Sequence, residues 1–218
     1  MSRSSRTLPG YWDSYKPDKD SDSPAPAVDS FEWTQYPGHG EGEGILQQPR
    51  SALDLGCGEG KEAVYLARKG VEVIALDFSP VQVARARRWW GDTPGLSFVE
   101  ADACQYLATT RSTYDAIYSI WGAAWFTDPE RLFPLVAQRL NPGGVFAFSQ
   151  AEPLEGFHGF EGLYGNGFTG RKLTVRRWSY SPEAWADLLK RHGFHDIEAR
   201  VLEAPDPDDV GTLMVCAR

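Results

Sequence analysis

From Ser51 onward, short apolar runs alternate with stretches in which apolar residues recur every three or four positions. The runs predict strands at about 51–55, 71–76, 96–100, 114–119, 144–149, 196–202 and 211–217, with helices between them. Strand and helix in alternation predict an α/β fold built on a doubly wound, mostly parallel sheet. The punctuation agrees. Ser79-Pro80, Asp128-Pro129 and Ser181-Pro182 each place an N-cap residue ahead of a proline at the first helical position. Lys69-Gly70 and His192-Gly193 put a cation in a last turn and a glycine just beyond it.

Two regions break this rhythm. Residues 1–50 predict an N-terminal arm or cap, partly disordered, on a domain that spans 51–218. Ser, Asp, Pro and Lys dominate Lys16 to Pro24, and such a stretch buries too little apolar surface to offset the entropy of ordering. Tyr11-Trp12-Asp13-Ser14-Tyr15 interrupts it with three aromatics that can anchor the arm or cover a ligand. A second aromatic segment, Phe31 to Tyr36, ends in Pro37-Gly38-His39-Gly40. The other irregular region, 151–180, is too long for a simple connection and predicts a lid insert or small hairpin over a pocket. It carries Phe157-His158-Gly159-Phe160, Tyr164 and a local cationic cluster of Arg171, Lys172, Arg176 and Arg177.

With 218 residues, 42% hydrophobic and 24% charged, the chain has enough apolar material for a core without disulfide or metal staples. A formal net charge of −8 disfavours bulk nucleic acid and anionic membrane as partners. No run of 18 apolar residues and no apolar stretch after Met1 predict a cytoplasmic protein. Three widely spaced cysteines (Cys57, Cys104 and Cys216) predict neither a disulfide framework nor a metal site.

The chemistry centres on Ser51 to Gly60, where a strand enters a glycine turn before a helix. Glycines at 56, 58 and 60 let the backbone turn tightly and let a ligand lie against it. The spacing is G-x-G-x-G with Lys61 at the position where a nicotinamide-dinucleotide fingerprint needs a small residue. Asp54 just before the turn would repel a pyrophosphate but favour an ammonium or sulfonium. Asp77 closes the next strand 21 residues after Gly56, the separation at which an acid meets a ribose diol. Asp102 follows the third strand and is placed to accept from an adenine amino group. Acids at three successive strand ends describe a cleft for a positively charged adenosyl ligand, S-adenosylmethionine.

On these residues the chain resembles the class I S-adenosylmethionine-dependent methyltransferases over about 51–150. Leu53 to Gly60 is similar to the family's first motif and Ile74-Ala75-Leu76-Asp77-Phe78-Ser79 to its second. Glu100-Ala101-Asp102-Ala103 is similar to the adenine motif, Tyr114 to Ser119 to the fourth strand, and Leu140-Asn141-Pro142-Gly143-Gly144 to the turn into the fifth. The first motif looks most like the small-molecule branches that act on tellurite or thiopurines. The resemblance implies a Rossmann-like, seven-stranded sheet with an antiparallel last strand, and S-adenosylhomocysteine as product. It implies cofactor contacts at Asp54, Gly56, Cys57, Gly58, Asp77, Phe78, Asp102, Ala103 and Ser119, with the acceptor facing Ser119 to Trp121.

Further expectations concern the flanks. Tyr11, Tyr15 and Trp33 are candidates to close over the cofactor, and His39 and His158 are candidate bases. Trp121, Trp125, Tyr164 and Arg171 are candidate acceptor contacts. Arg85, Arg87 and Arg88 read as an exposed helix face, and Cys57 as a small filler in its turn. The predicted activity is methyl transfer to an O or N nucleophile of a small molecule, by in-line displacement, in a monomer or homodimer. An RNA or protein methyltransferase and a non-catalytic adenosyl-ligand binder are the alternatives.

Overall fold

The computed structural model describes residues 12–13, 23–154, 159–164 and 174–218, with main chain alone at 160–164 and 174–175. In chain order the elements are β1 (Ser51–Leu55), α1 (Lys61–Arg68), β2 (Glu72–Asp77), α2 (Pro80–Trp90), β3 (Leu96–Glu100), α3 (Ala103–Thr109), β4 (Tyr114–Ile120), α4 (Ala123–Phe126), α5 (Pro129–Ala137) and β5 (Leu140–Ala151). They continue with β6 (Gly159–Tyr164), β7 (Thr174–Ser179), α6 (Pro182–Arg191), β8 (Glu198–Leu202) and β9 (Thr212–Ala217). The sheet has seven strands in the order β3-β2-β1-β4-β5-β9-β8. β1 to β5 are parallel, and β9 runs antiparallel to both β5 and β8. This is the Rossmann-like, doubly wound arrangement expected above, with the strand order reversing between β1 and β4.

The predicted helix starts form as their residue types require. Ser79 accepts a hydrogen bond from the Gln82 amide, Asp128 from that of Glu130, and Ser181 from that of Ala184. Gly70 and Gly193 both take φ +89° just after helices, a conformation open to glycine at little cost. Each face of the sheet has its own core. α1 and α2 cover one face with Val64, Leu66, Val83 and Trp90, and α3, α5 and α6 cover the other with Leu107, Phe133 and Trp185.

Over β4, β5 and β9 no α-helix among the described residues covers the first face, and residues 28–46, ending in a short 3-10 helix at Glu43–Leu46, fill that place. Phe31, Trp33 and Leu46 are buried there against Tyr118, Val145, Ala147 and Met214. Trp33 is 0% exposed, its ring 5.2 Å from that of Phe31 and 6.3 Å from that of Tyr118. The second aromatic cluster of the arm is therefore core, which corrects the expectation that Trp33 reaches the cofactor. Arg85 differs from expectation too. It is buried on α2 and pairs with Glu59 at 3.1 Å, so only part of that arginine face meets water. The 151–180 region does contain a two-stranded antiparallel hairpin, β6 with β7. No helix of the described residues is long and apolar enough to cross a membrane.

Candidate active site

The reversal of strand order opens a crevice at the carboxyl ends of β1 and β4, the place where open α/β sheets bind ligands. The glycine turn forms its floor. The amides of Gly56 and Cys57 both donate to the Leu76 carbonyl, at 2.8 and 2.9 Å, which ties the turn to the end of β2. Its three glycines answer different demands. A Cβ on Gly56 (φ +84°) would lie 2.5 Å from the Ala123 amide nitrogen, and one on Gly60 (φ +77°) 2.6 Å from the Phe98 ring. A Cβ on Gly58 (φ +52°) would meet nothing within 4 Å. Two glycines thus let neighbouring structure approach, while the third leaves the crevice open at its floor.

Asp54 and Asp77 stand on either side of this turn, both nearly buried. Burial pushes the Asp54 carboxyl well above its ordinary range, and the nearby Glu62 and Asp77 charges add to that push. The Tyr118 hydroxyl, on the residue paired with Asp54 across β1 and β4, lies beside the carboxyl and partly offsets it. Asp77 accepts from the Gly58 amide through Oδ2 and from the Ser79 amide through Oδ1, each at 2.9 Å. Burial raises this acid as well, against the lowering effect of those amides, and Asp13 raises it further. Burial of two neighbouring acids disfavours an anion between them and would favour a positively charged group.

Asp102 lies exposed at the start of α3, where Oδ1 caps the helix by accepting from the Gln105 amide at 2.9 Å. Ala103 is the first residue of that helix and Phe78 is half-buried between Asp77 and Ser79. The Cys57 thiol is pushed up by burial and by the Asp54 and Asp77 charges, so it is a poor nucleophile.

Residues 53–148 match the family described as methyltransferase domain. The trans-aconitate 2-methyltransferase of Methylobacterium radiotolerans is 37% identical over 111 residues, covering 50% of this chain and 41% of that protein. Malonyl-[acyl-carrier protein] O-methyltransferase 1 of Ilyobacter polytropus is 33% identical over 99 residues, or 44% and 36% of the two chains. The chain thus spans less than half the length of these curated relatives. Among solved structures, a glycopeptide N-methyltransferase complexed with sinefungin superposes with a TM-score of 0.62 at 20% identity, over 81% of this chain and 83% of that one. The 1,6-didemethyltoxoflavin-N1-methyltransferase of Burkholderia thailandensis gives 0.61 at 20% identity, over 81% and 73%. Residues 53–148 are thus similar to a methyltransferase domain, and the fold around them is shared with solved methyltransferases.

On the β4 side of the crevice the methyltransferase domain is built from side chains of distant segments. Ser119 is wholly buried and its hydroxyl donates to the Leu55 carbonyl at 2.7 Å while accepting from the Ala124 amide at 3.0 Å. It clasps β4, β1 and α4 together, so its oxygen is already engaged within the protein. Gly122 completes that clasp: a Cβ there would lie 2.6 Å from the Leu55 carbonyl oxygen. Trp121 adopts φ +50°, a conformation that strains any residue with a Cβ. Its amide donates to the Ser149 carbonyl at 2.8 Å and its indole to the Trp33 carbonyl at 3.2 Å, and these bonds hold it there. Trp125 meets Trp121 edge-on at 5.4 Å, meets Phe126 at 5.0 Å, and carries the Arg177 guanidinium 4.9 Å from its ring centre.

His39 lies elsewhere. Its Nε2 is 2.9 Å from the Glu203 carbonyl oxygen, just beyond β8, four strands along the sheet from β1. The segment that carries it runs along the sheet away from the glycine turn, so the expected base is not brought to the crevice. His158, Tyr11, Tyr15 and Arg171 fall outside the described residues, and Tyr164 is described by its main chain alone at the end of β6.

Sequence reasoning passed over Glu62, Tyr118, Gln82 and Asp13, all of which the fold brings to the crevice. Glu62 had one signal, its place in the first turn of the helix that follows the glycines. Asp13 had none beyond its aromatic neighbours.

Proposed function

We propose that the protein transfers a methyl group from S-adenosylmethionine to an O or N nucleophile of a small molecule. The observation that carries this reading is the crevice floor: an open Gly58 between two buried acids, Asp54 and Asp77, within a methyltransferase domain. The fit is chemical. Asp77 uses one lone pair on each oxygen for main-chain amides and keeps acceptor capacity for ribose hydroxyls. Burial and the Glu62 charge disfavour ionised Asp54, and an ammonium or sulfonium beside the two acids would restore that charge. Asp102 and the Ala103 amide at the start of α3 serve the adenine edge. S-adenosylmethionine, when bound, supplies a methyl carbon activated by its sulfonium, so the enzyme acts chiefly by holding the acceptor in line.

An acceptor ionised at neutral pH needs no general base. That suits this crevice, because the three described histidines are engaged elsewhere: His39 at Glu203, His192 at Glu130 and His195 at Asp196. A carboxylate oxygen is the acceptor atom we favour. The names of two relatives, a trans-aconitate and a malonyl methyltransferase, point the same way, as does Arg177 at the crevice's aromatic wall. A cytoplasmic setting fits the three free cysteines.

Calorimetric titration with S-adenosylmethionine and S-adenosylhomocysteine tests the cofactor, and label transfer from methyl-labelled donor to a panel of small carboxylic acids and amines tests the acceptor. Micromolar binding of both ligands and labelled methyl ester are the expected results. Absence of binding overturns the reading, and label on amines alone overturns the carboxylate.

A further inference from the structure

Trp12 and Asp13 lie across the crevice from one wall to the other. The Ser79 hydroxyl donates to Asp13 Oδ1 at 2.6 Å, and Gln82 Nε2 donates to the Trp12 carbonyl at 3.1 Å. Both partners belong to the start of α2, just beyond β2. The Trp12 ring meets Phe126 edge-on, centroids 4.8 Å apart, and Phe126 ends α4, just beyond β4. In the sheet β1 lies between β2 and β4, so a two-residue piece fastened to both flanking walls passes the carboxyl end of β1, where the glycine turn is.

We propose that Trp12 and Asp13 form a latch over the cofactor crevice, and that S-adenosyl ligands enter and leave only when this latch opens. The inference rests on the reading of the crevice as an S-adenosylmethionine site.

Three features support it. The fastenings are of different kinds, two hydrogen bonds on the adenosyl wall and a ring contact on the acceptor wall, so neither wall alone accounts for the placement. The latch brings a fourth carboxylate to a crevice that already holds Asp54, Asp77 and Glu62, and Asp13 acts on the Asp77 charge. Closed over nothing, that arrangement sets like charges together. Closed over a cationic ligand, the same carboxylate helps retain it. The acceptor wall continues from Phe126 through Trp125 to Arg177 on β7, so the latch and the hairpin bear on the same short helix, α4.

The test is the dissociation rate of tritiated S-adenosylmethionine, chased with excess S-adenosylhomocysteine, for the full chain and its Trp12→Ala, Trp12→Phe and Asp13→Asn variants. Trp12→Ala is expected to speed dissociation about tenfold and Asp13→Asn about threefold, from the size of one aromatic contact and of one charge, since Asn keeps an oxygen that accepts from Ser79. Trp12→Phe keeps a ring against Phe126 and should stay within about twofold of the parent. That rescue separates a latch from general loosening, which melting curves of the same variants would show. Unchanged dissociation in both Trp12→Ala and Asp13→Asn, with the parent binding normally, overturns the latch and leaves the cofactor reading standing. Failure of the parent to bind overturns both.

Discussion

The two walls of the crevice are made in different ways. At the ends of β1 and β2 the main chain does the shaping: glycines admit close approach, amides converge on Leu76 and Asp77, and two acids stand beside them. At the ends of β4 and β5 the wall is made of rings and one guanidinium, drawn from α4, β7 and the arm. A main-chain site suits a ligand that does not change. A side-chain wall can be altered residue by residue without disturbing the turn, and so suits the variable acceptor proposed above.

This contrast can be broken or sharpened by substitution. The largest effect is expected from Gly56→Ala, which would force a methyl group against the Ala123 amide in a left-handed conformation. A loss of about 3 kcal/mol, or failure to fold, should appear in urea unfolding. Next is Asp77→Ala, which removes the acceptors proposed for the ribose and should weaken S-adenosylhomocysteine by about 2–4 kcal/mol in calorimetry. Gly58→Ala sharpens the comparison with Gly56. Its new methyl group meets open space, so stability should fall by only about 1 kcal/mol while cofactor affinity falls tenfold or more.

Smaller effects are expected across the crevice. Arg177→Gln removes a cation from the Trp125 ring and should cost about 0.5–1 kcal/mol in acceptor binding. It should raise the acceptor KM and leave cofactor affinity within about twofold; a shift in cofactor affinity instead would erase the distinction between the walls.

The smallest effect concerns pH. Burial raises Asp54 and Asp77 in the folded state, so their contribution favours folding when both are protonated and is lost as pH rises through the raised values. Asp54→Asn should therefore raise the melting temperature at pH 8 more than at pH 4, while weakening cofactor binding. A uniform shift across that range would mean the carboxyl is already compensated.

Much of the wall at the ends of β1 and β2 was legible because its demands are local. A glycine turn between a strand and a helix needs glycines at fixed offsets, and an acid at a strand end is visible as the last residue of an apolar run. The same locality made the caps at Ser79, Asp128 and Ser181 readable. Other residues were misread where burial came from a distant segment. Trp33 looked like a ligand cover and proved to be core, because no α-helix among the described residues lies over β4 and β5 and that face needs apolar cover. Arg85 looked solvated and proved buried, because Glu59 in the glycine turn stands opposite it. His39 looked like a base and lies at β8, because the segment carrying it runs along the sheet and bonds to the β8–β9 connection.

The sequence by itself determined the strand and helix alternation, the glycine turn and the acids beside it, since each follows from periodicity and spacing within one stretch of chain. Only the tertiary structure decided which distant side chains meet across the crevice. Trp12 with Phe126, Asp13 with Ser79, and Arg177 with Trp125 come from segments 50 to more than 100 residues apart. No local pattern specifies such pairs, because their energy is gained only once the sheet has brought β2, β4 and the hairpin side by side.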